Sequence, residues 1–235
     1  SRGLGDVYKR QTLCKTVGGW TGNKIDTVRP DLGLNSYSQV LSSGVNYMGV
    51  ISGNGSLYMW GNNDCGQLGD GTKTYRDIPV KIMDNVVSIS TRWDSSGAIT
   101  RDGSLYMWGC NDYGQLGDGT KTDRDIPVKI MDNVVSVSVG RYASGAITKD
   151  RSLYMWGYNA WGQLGNGTIV DEVIPVKVLD DVVAVGTNGA TSAAITSNGD
   201  LYMWGVDIYG YEPTKIMSNV TVSYTHLRAH ETVLD

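Results

Sequence analysis

Apolar positions along this chain come in short runs that recur in one fixed order. "SLYMWG" starts at Ser56, Ser104 and Ser152, returns as "DLYMWG" at Asp200, and each copy lies 48 residues from the last. Between copies stand "IPVKIM", "VVSIS" and "SGAIT" or close variants of them. The runs are about four to seven residues long, rich in Val, Ile and Tyr, and bounded by Gly, Asp or Asn, which predicts strands rather than helices. "AITRDGSLYMW" predicts a hairpin with Asp102 and Gly103 at its turn, where a positive φ costs little. Pro79, Pro127 and Pro175 lack an amide donor and belong at strand starts or sheet edges. Four such strands per unit predict one blade of a β-propeller, and a fixed period of this size marks a repeat architecture.

Drawn from the Leu of "LYMWG", three full units span 57–104, 105–152 and 153–200, flanked by partial units at about 12–56 and 201–221. The predicted fold class is all-β, a propeller of four-stranded blades present as an incomplete, open arc. Trp60, Trp108, Trp156 and Trp204 share one register, and a blade cannot cover its own face without a neighbour. Burying a Trp removes roughly 150–250 Å² from water, at most about 4–6 kcal/mol at ~25 cal/mol/Å². These four are therefore expected to be structural, inter-blade residues.

Composition changes the picture mainly at the two ends. The chain has 235 residues, 40% hydrophobic and 19% charged, with 31 Gly, enough apolar content for a core and many tight turns. No run of about 18 apolar residues occurs, so no membrane-inserted segment is expected. "SRGLGDVYKRQ" back-translates onto a transposase sequencing adaptor, and "VSYTHLRAHET" onto the reverse complement of the same adaptor. Residues 1–11 and 222–235 are therefore read as adaptor-derived and non-native, leaving 12–221 as a propeller fragment of a metagenomic read. Both histidines, His226 and His230, fall in the excluded part. The whole chain carries a formal charge of −4; the two ends account for +2 and −1, which leaves −5 on the fragment. An acidic chain of this kind is not expected to bind nucleic acid.

The pattern "LYMWGxNxxGQLGxGT…IPVKIM…NVVSVSVG…SGAIT" resembles the regulator of chromosome condensation repeat over nearly all of 12–221. The resemblance implies a propeller of about seven four-stranded blades. Its members include a nuclear exchange factor, a plant ultraviolet-B photoreceptor and a secreted bacterial beta-lactamase inhibitor, which share a scaffold rather than a function. Family blades carry a His before "SxAxT", whereas Ser95, Ala143 and Thr191 stand there here. No segment resembles the wedge by which the exchange factor engages its GTPase. Only Trp93 and Trp161 lie off the Trp register within the blades, against the dense Trp cluster of the photoreceptor. The near-identity of the first two full units reads as recent internal duplication, a trait of bacterial surface proteins that resemble this family.

Catalytic chemistry is sparse. Without His in the fragment, Ser–His and Cys–His catalysis and His metal sites drop out. Cys14, Cys65 and Cys110 show no CxxC spacing, and unpaired thiols are expected over a Cys65–Cys110 disulfide. "GQLGDGT" has the spacing GxxGxG with no helix after it, so it reads as a turn holding blades in register rather than a phosphate cradle. Asp64 and Asp70, like Asp112 and Asp118, are six apart and miss the alternate spacing of a calcium loop. No catalytic, cofactor or metal residue is assigned.

The units keep their strands and differ at three places: Asn62, Cys110 and Tyr158; then Cys65, Tyr113 and Trp161, with Tyr209 in the last unit; then "TRWDS" from Thr91, "VGRYA" from Val139 and "TNGAT" from Thr187. Variation on a fixed scaffold is how presented loops look, and Tyr, Trp and Arg are the residues that anchor interfaces. Arg92, Trp93, Tyr113, Arg141, Tyr142, Tyr158 and Trp161 are accordingly the expected partner-binding residues. The functional expectation is a non-catalytic protein-interaction scaffold, part of a secreted or surface bacterial propeller, with an unidentified protein partner. One alternative is a secreted enzyme inhibitor using the same loops. Another is a carbohydrate-active enzyme with carboxylates such as Asp94 or Glu172, which would need a pair about 5–10 Å apart.

Overall fold

In the computed structural model, residues 41–206 and 210–220 are described. The adaptor-like ends, Cys14 and Tyr209 lie outside them. Among the described residues, sixteen strands form four antiparallel sheets of four, with the strands of each sheet adjacent in chain order. The first holds β1 (Leu41–Ser43), β2 (Tyr47–Ile51), β3 (Leu57–Gly61) and β4 (Arg76–Met83). The second holds β5 (Val86–Arg92), β6 (Ser95–Thr100), β7 (Leu105–Gly109) and β8 (Arg124–Met131). The third holds β9 (Val134–Val139), β10 (Ala143–Thr148), β11 (Leu153–Gly157) and β12 (Glu172–Leu179). The fourth holds β13 (Val182–Asn188), β14 (Thr191–Thr196), β15 (Leu201–Trp204) and β16 (Thr214–Met217).

The sheets begin not at "LYMWG" but at the Val–Val pair after the Asp–Asn turn. A unit drawn from Leu57 thus carries the outer half of one sheet and the inner half of the next. A periodic sequence fixes the period but not the phase. The phase comes from the turn: Asn85, Asn133 and Asp181 adopt φ near 60°, in the left-handed region that Asn tolerates better than most residues, and there the chain leaves one sheet for the next. Within a sheet, the Asp102–Gly103 hairpin joins β6 to β7 with Ile99 opposite Leu105. Pro79, Pro127 and Pro175 lie in β4, β8 and β12, the edge strands of their sheets, where no neighbour needs their missing donor.

β1, β5, β9 and β13 pack against one another in succession and form the inner edge of the arc, while β4, β8, β12 and β16 form its outer edge. The apolar cores lie between sheets. Tyr47, Ile51, Leu57, Met59 and Leu68 of the first sheet and its loop enclose Trp108 of the second. Leu105, Met107 and Leu116 enclose Trp156, and Leu153, Met155 and Leu164 enclose Trp204. Every seam is the same joint: one Trp from the following sheet enters a pocket built by the preceding one. No comparable packing joins the fourth sheet back to the first among the described residues, and the arc is open.

Candidate interaction site

The loop after "LYMWG" carries the joint. Asn63 is fully buried; its side-chain oxygen accepts from Leu68 N at 2.9 Å, and its Nδ2 donates to Asp70 Oδ1 at 3.1 Å and to the carbonyls of Thr72 and Thr74 at 2.9 and 3.2 Å. Asn111 and Asn159 repeat this, drawing each loop round one amide. The wound loop then grips the next sheet. Gln67, Gln115 and Gln163 carbonyls accept the indole N–H of Trp108, Trp156 and Trp204 at 2.9, 2.9 and 2.8 Å. A Cβ on Gly69 would stand 2.7 Å from Nε1 of Trp108, and Gly69 holds φ +78°, so both the space and the conformation require glycine. Trp108, Trp156 and Trp204 are fully buried. Trp60 is only half-buried, and no latch covers it among the described residues. The "GQLGDGT" loop is thus a latch between sheets.

The side chains that differ between units emerge at one end of the arc. They sit on two kinds of loop: the hairpins joining the first two strands of each sheet, and the start of each latch. Arg141 lies with its guanidinium carbon 3.8 Å from the centroid of Trp93 and 4.7 Å from that of Tyr142. Tyr142 meets Tyr113 edge-on at 5.1 Å between centroids and Tyr158 at 5.9 Å. Tyr158 meets Tyr113 at 5.1 Å and Trp161 at 5.2 Å, both edge-on. Trp93 and Trp161 are 39% and 43% exposed, too open for core residues of their size. Six of the seven expected partner residues form one ridge from Trp93 to Trp161. Arg92 stands apart and donates to Asn188 Oδ1 at 3.2 Å, linking the second sheet to the fourth.

Seam equivalence explains the ridge. Position 65 of one latch meets position 110 on the next, 113 meets 158, and Val206 N donates to the Trp161 carbonyl at 2.8 Å. One seam carries Cys opposite Cys, the next Tyr opposite Tyr. Cys65 and Cys110 are unpaired by disulfide, and the two thiols influence each other electrostatically across the seam. Burial pushes the Cys110 thiol up to about 12, and burial followed by the Asp123 carboxylate raises Cys65.

Asp94 lies beside the ridge, on the Trp93 hairpin. Burial, then the Asp64 carboxylate, pushes its carboxyl above the ordinary value of 3.8, while Arg141 opposes them. Glu172 has other surroundings: its Oε1 accepts from Asn166 Nδ2 at 3.1 Å inside the third latch. The two carboxylates weighed for carbohydrate chemistry are held by separate partners. At the position before "SxAxT" where family blades carry His, the first sheet places a buried Tyr47, whose hydroxyl donates to the Ser95 carbonyl at 2.6 Å. Burial dominates there and raises the phenol.

Repeated four-stranded sheets, each packed and latched against the next and carrying variable loops on one side, define a propeller of tandem repeats. The match to the family model for the regulator of chromosome condensation (RCC1) repeat falls on 54–99, 102–147 and 150–195, and a second model of the same description matches 86–115. The chain belongs to the RCC1 repeat family. Comparison with curated proteins gave no sequence match. Among solved structures, human WBSCR16 aligns with a TM-score of 0.67 at 22% identity, over 78% of this chain and 54% of its own. Yeast RCC1 (Prp20) bound to Kap60 aligns at 0.64 and 23%, over 76% of this chain and 48% of its own. Prp20p from Saccharomyces cerevisiae, described with its binding to Gsp1p and histones, aligns at 0.64 and 24%, over 76% and 50%. The chain spans about half the length of these relatives, and at such identities the likeness is one of fold. No helix among the described residues is long and apolar enough to cross a membrane.

Proposed function

We propose that this chain is part of a non-catalytic protein-interaction scaffold whose contact surface is the ridge from Trp93 through Arg141, Tyr142, Tyr113 and Tyr158 to Trp161. One observation carries the reading: six residues at positions that differ between units form one contiguous cation–aromatic surface, with Trp93 and Trp161 exposed and the three tyrosines half-buried. Rigid aromatics and a stacked Arg offer large contact area at low entropic cost, the make-up of interface hot spots. RCC1-repeat relatives engage proteins, Kap60 among them for yeast RCC1. The partner is a protein that contacts this ridge.

The test compares the wild-type chain with Arg141→Ala and Trp161→Ala as baits in extract of the organism that encodes it. A protein retained by the wild type alone is then purified and titrated against all three. At least about tenfold weaker binding by each variant, with the melting temperature shifted by only a few degrees, supports the reading. Equal affinity for all three baits, or variants that fail to fold, sinks it.

A further inference from the structure

We propose that the seam between the first and second sheets is a site for a thiophilic divalent cation of the zinc class, held by Cys65, Cys110, Asp112 and Asp123. One ligand atom each from Cys110, Asp112 and Asp123 already lie within 4.8 Å of one another. Cys110 Sγ is 3.5 Å from Asp112 Oδ2. Ligand atoms of tetrahedral zinc, about 2.0–2.3 Å from the metal, stand roughly 3.3–3.8 Å apart, so modest side-chain rotation closes the set. The fourth donor would come from the facing latch, where Cys65 stands across the seam from Cys110 and interacts with it electrostatically. Seam equivalence places it there, as it places Tyr113 against Tyr158 one seam on.

Two sulfurs and two carboxylate oxygens fit a thiophilic ion and not calcium or magnesium, which take oxygen ligands alone. The backbone around the donors is fixed for other reasons. Asp123 Oδ1 accepts from Asn111 N at 2.9 Å, as Asp171 does from Asn159 N at 2.9 Å, which leaves Oδ2 of Asp123 to turn toward the thiols. A cation already occupies that oxygen: Lys73 Nζ lies 3.3 Å away on a half-exposed side chain. Metal binding would displace the Lys73 ammonium into solvent and clamp the two sheets together.

The test titrates the reduced full-length chain with Co²⁺ and then Zn²⁺, with a chromophoric chelator as competitor. One Co²⁺ per chain with a thiolate-to-cobalt charge-transfer band, displaced by Zn²⁺, is the expected result. Cys65→Ser and Cys110→Ser should each abolish the band, and Asp123→Asn should weaken binding at least about tenfold. Lys73→Ala should tighten it, because the competing charge is gone. Cys14→Ser should change nothing. Absence of the band, binding that survives Cys65→Ser with Cys110→Ser, or loss of binding in Cys14→Ser would each overturn the site. So would Lys73→Ala variants that bind no more tightly.

Discussion

At the scale of single residues, the repeat supplies its own controls, because equivalent positions answer the same demand with different side chains. The hairpin between β13 and β14 turns on Gly189 at φ 60°, and the equivalent residue between β5 and β6 is Trp93 at φ 50°. A non-glycine residue there costs on the order of 1 kcal/mol, and the exposed indole regains about 0.5–1 kcal/mol under Arg141. Trp93→Gly should therefore shift folding stability by less than about 1 kcal/mol in urea titration, where a Trp packed in the core would cost about 3–5 kcal/mol. A loss of that larger size would show that Trp93 supports the fold and is not presented. Arg151 gives a second case. It holds φ 65° in the hairpin where the other three sheets place Gly55, Gly103 and Gly199, and its ion pair with Asp181 is exposed and weak. A Cβ at Gly103 would meet nothing closer than 3.5 Å, so Arg151 bears conformational cost without steric clash. Arg151→Gly is expected to raise stability by about 0.5–1 kcal/mol; unchanged or lower stability would mean that the ion pair outweighs the strain.

At the scale of the element, the latch is the unit that converts sequence into a joint, and its hub is one amide. Asn111 sits fully buried with four polar partners, and truncation leaves the Leu116 N–H and two carbonyls without it. With about 1–3 kcal/mol for each buried group left unsatisfied, Asn111→Ala should cost at least about 3 kcal/mol by chemical denaturation. The latches also differ in charge. Asp118 takes Arg124 Nε at 2.6 Å, as Asp70 takes Arg76, whereas Asn166 and Glu172 replace that pair in the third sheet. Burial tends to raise Asp118, but hydrogen bonds from Thr120 and Arg124 outweigh it and hold the carboxyl below its ordinary 3.8. A depressed folded value means stabilisation that is complete well above pH 3.8 and lost as pH falls through the folded value. Asp118→Asn should remove part of that acid sensitivity. Melting temperatures of variant and wild type should converge below pH 3.8 and separate above it. An acid profile identical in the two would rule Asp118 out as a contributor.

What could be read in the sequence divides along the same line. The period, the strand lengths, the Asp102–Gly103 hairpin and the edge position of the prolines follow from local chemistry that one segment carries by itself. The sheet boundary does not, since any cyclic shift of a 48-residue period gives the same pattern; the left-handed Asn85 and Asn133 carry the only local signal. The ridge residues stand out in the sequence because they vary between units. Asn63, Asn111 and Asn159 do not stand out because they are constant, although a constant amide ahead of three glycines is the sequence sign of a hub. Cys65 and Cys110 are expected as unpaired thiols and are unpaired, but their facing across the seam is not visible in aligned repeats, for a geometric reason. Seam partners are offset 45 residues, not 48, so they occupy different positions of their units and no column of aligned repeats brings them together.

For the whole molecule, stability is a sum over seams. Each apolar core lies between two neighbouring sheets, and the Arg92–Asn188 hydrogen bond, which skips a sheet, is exposed, so a perturbation should weaken one seam and propagate only if that seam opens. The four Trp residues of the "LYMWG" register then have unequal weight despite identical local sequence. Trp108 closes an inner seam with its N–H bound to Gln67 and no exposed surface, whereas Trp60 faces a side with no described latch and stays half-buried. Trp108→Ala should cost about 3–5 kcal/mol and, by opening the joint between the first two sheets, split the unfolding transition into two steps. Trp60→Ala should cost less than half as much and leave a single transition. Calorimetry of both variants with hydrogen exchange read strand by strand distinguishes the outcomes: for Trp108→Ala, protection should fall in β1–β4 while β9–β16 retain theirs. Equal losses for the two variants, or protection lost uniformly across all four sheets, would mean that the arc folds as one cooperative body and not as a row of latched blades.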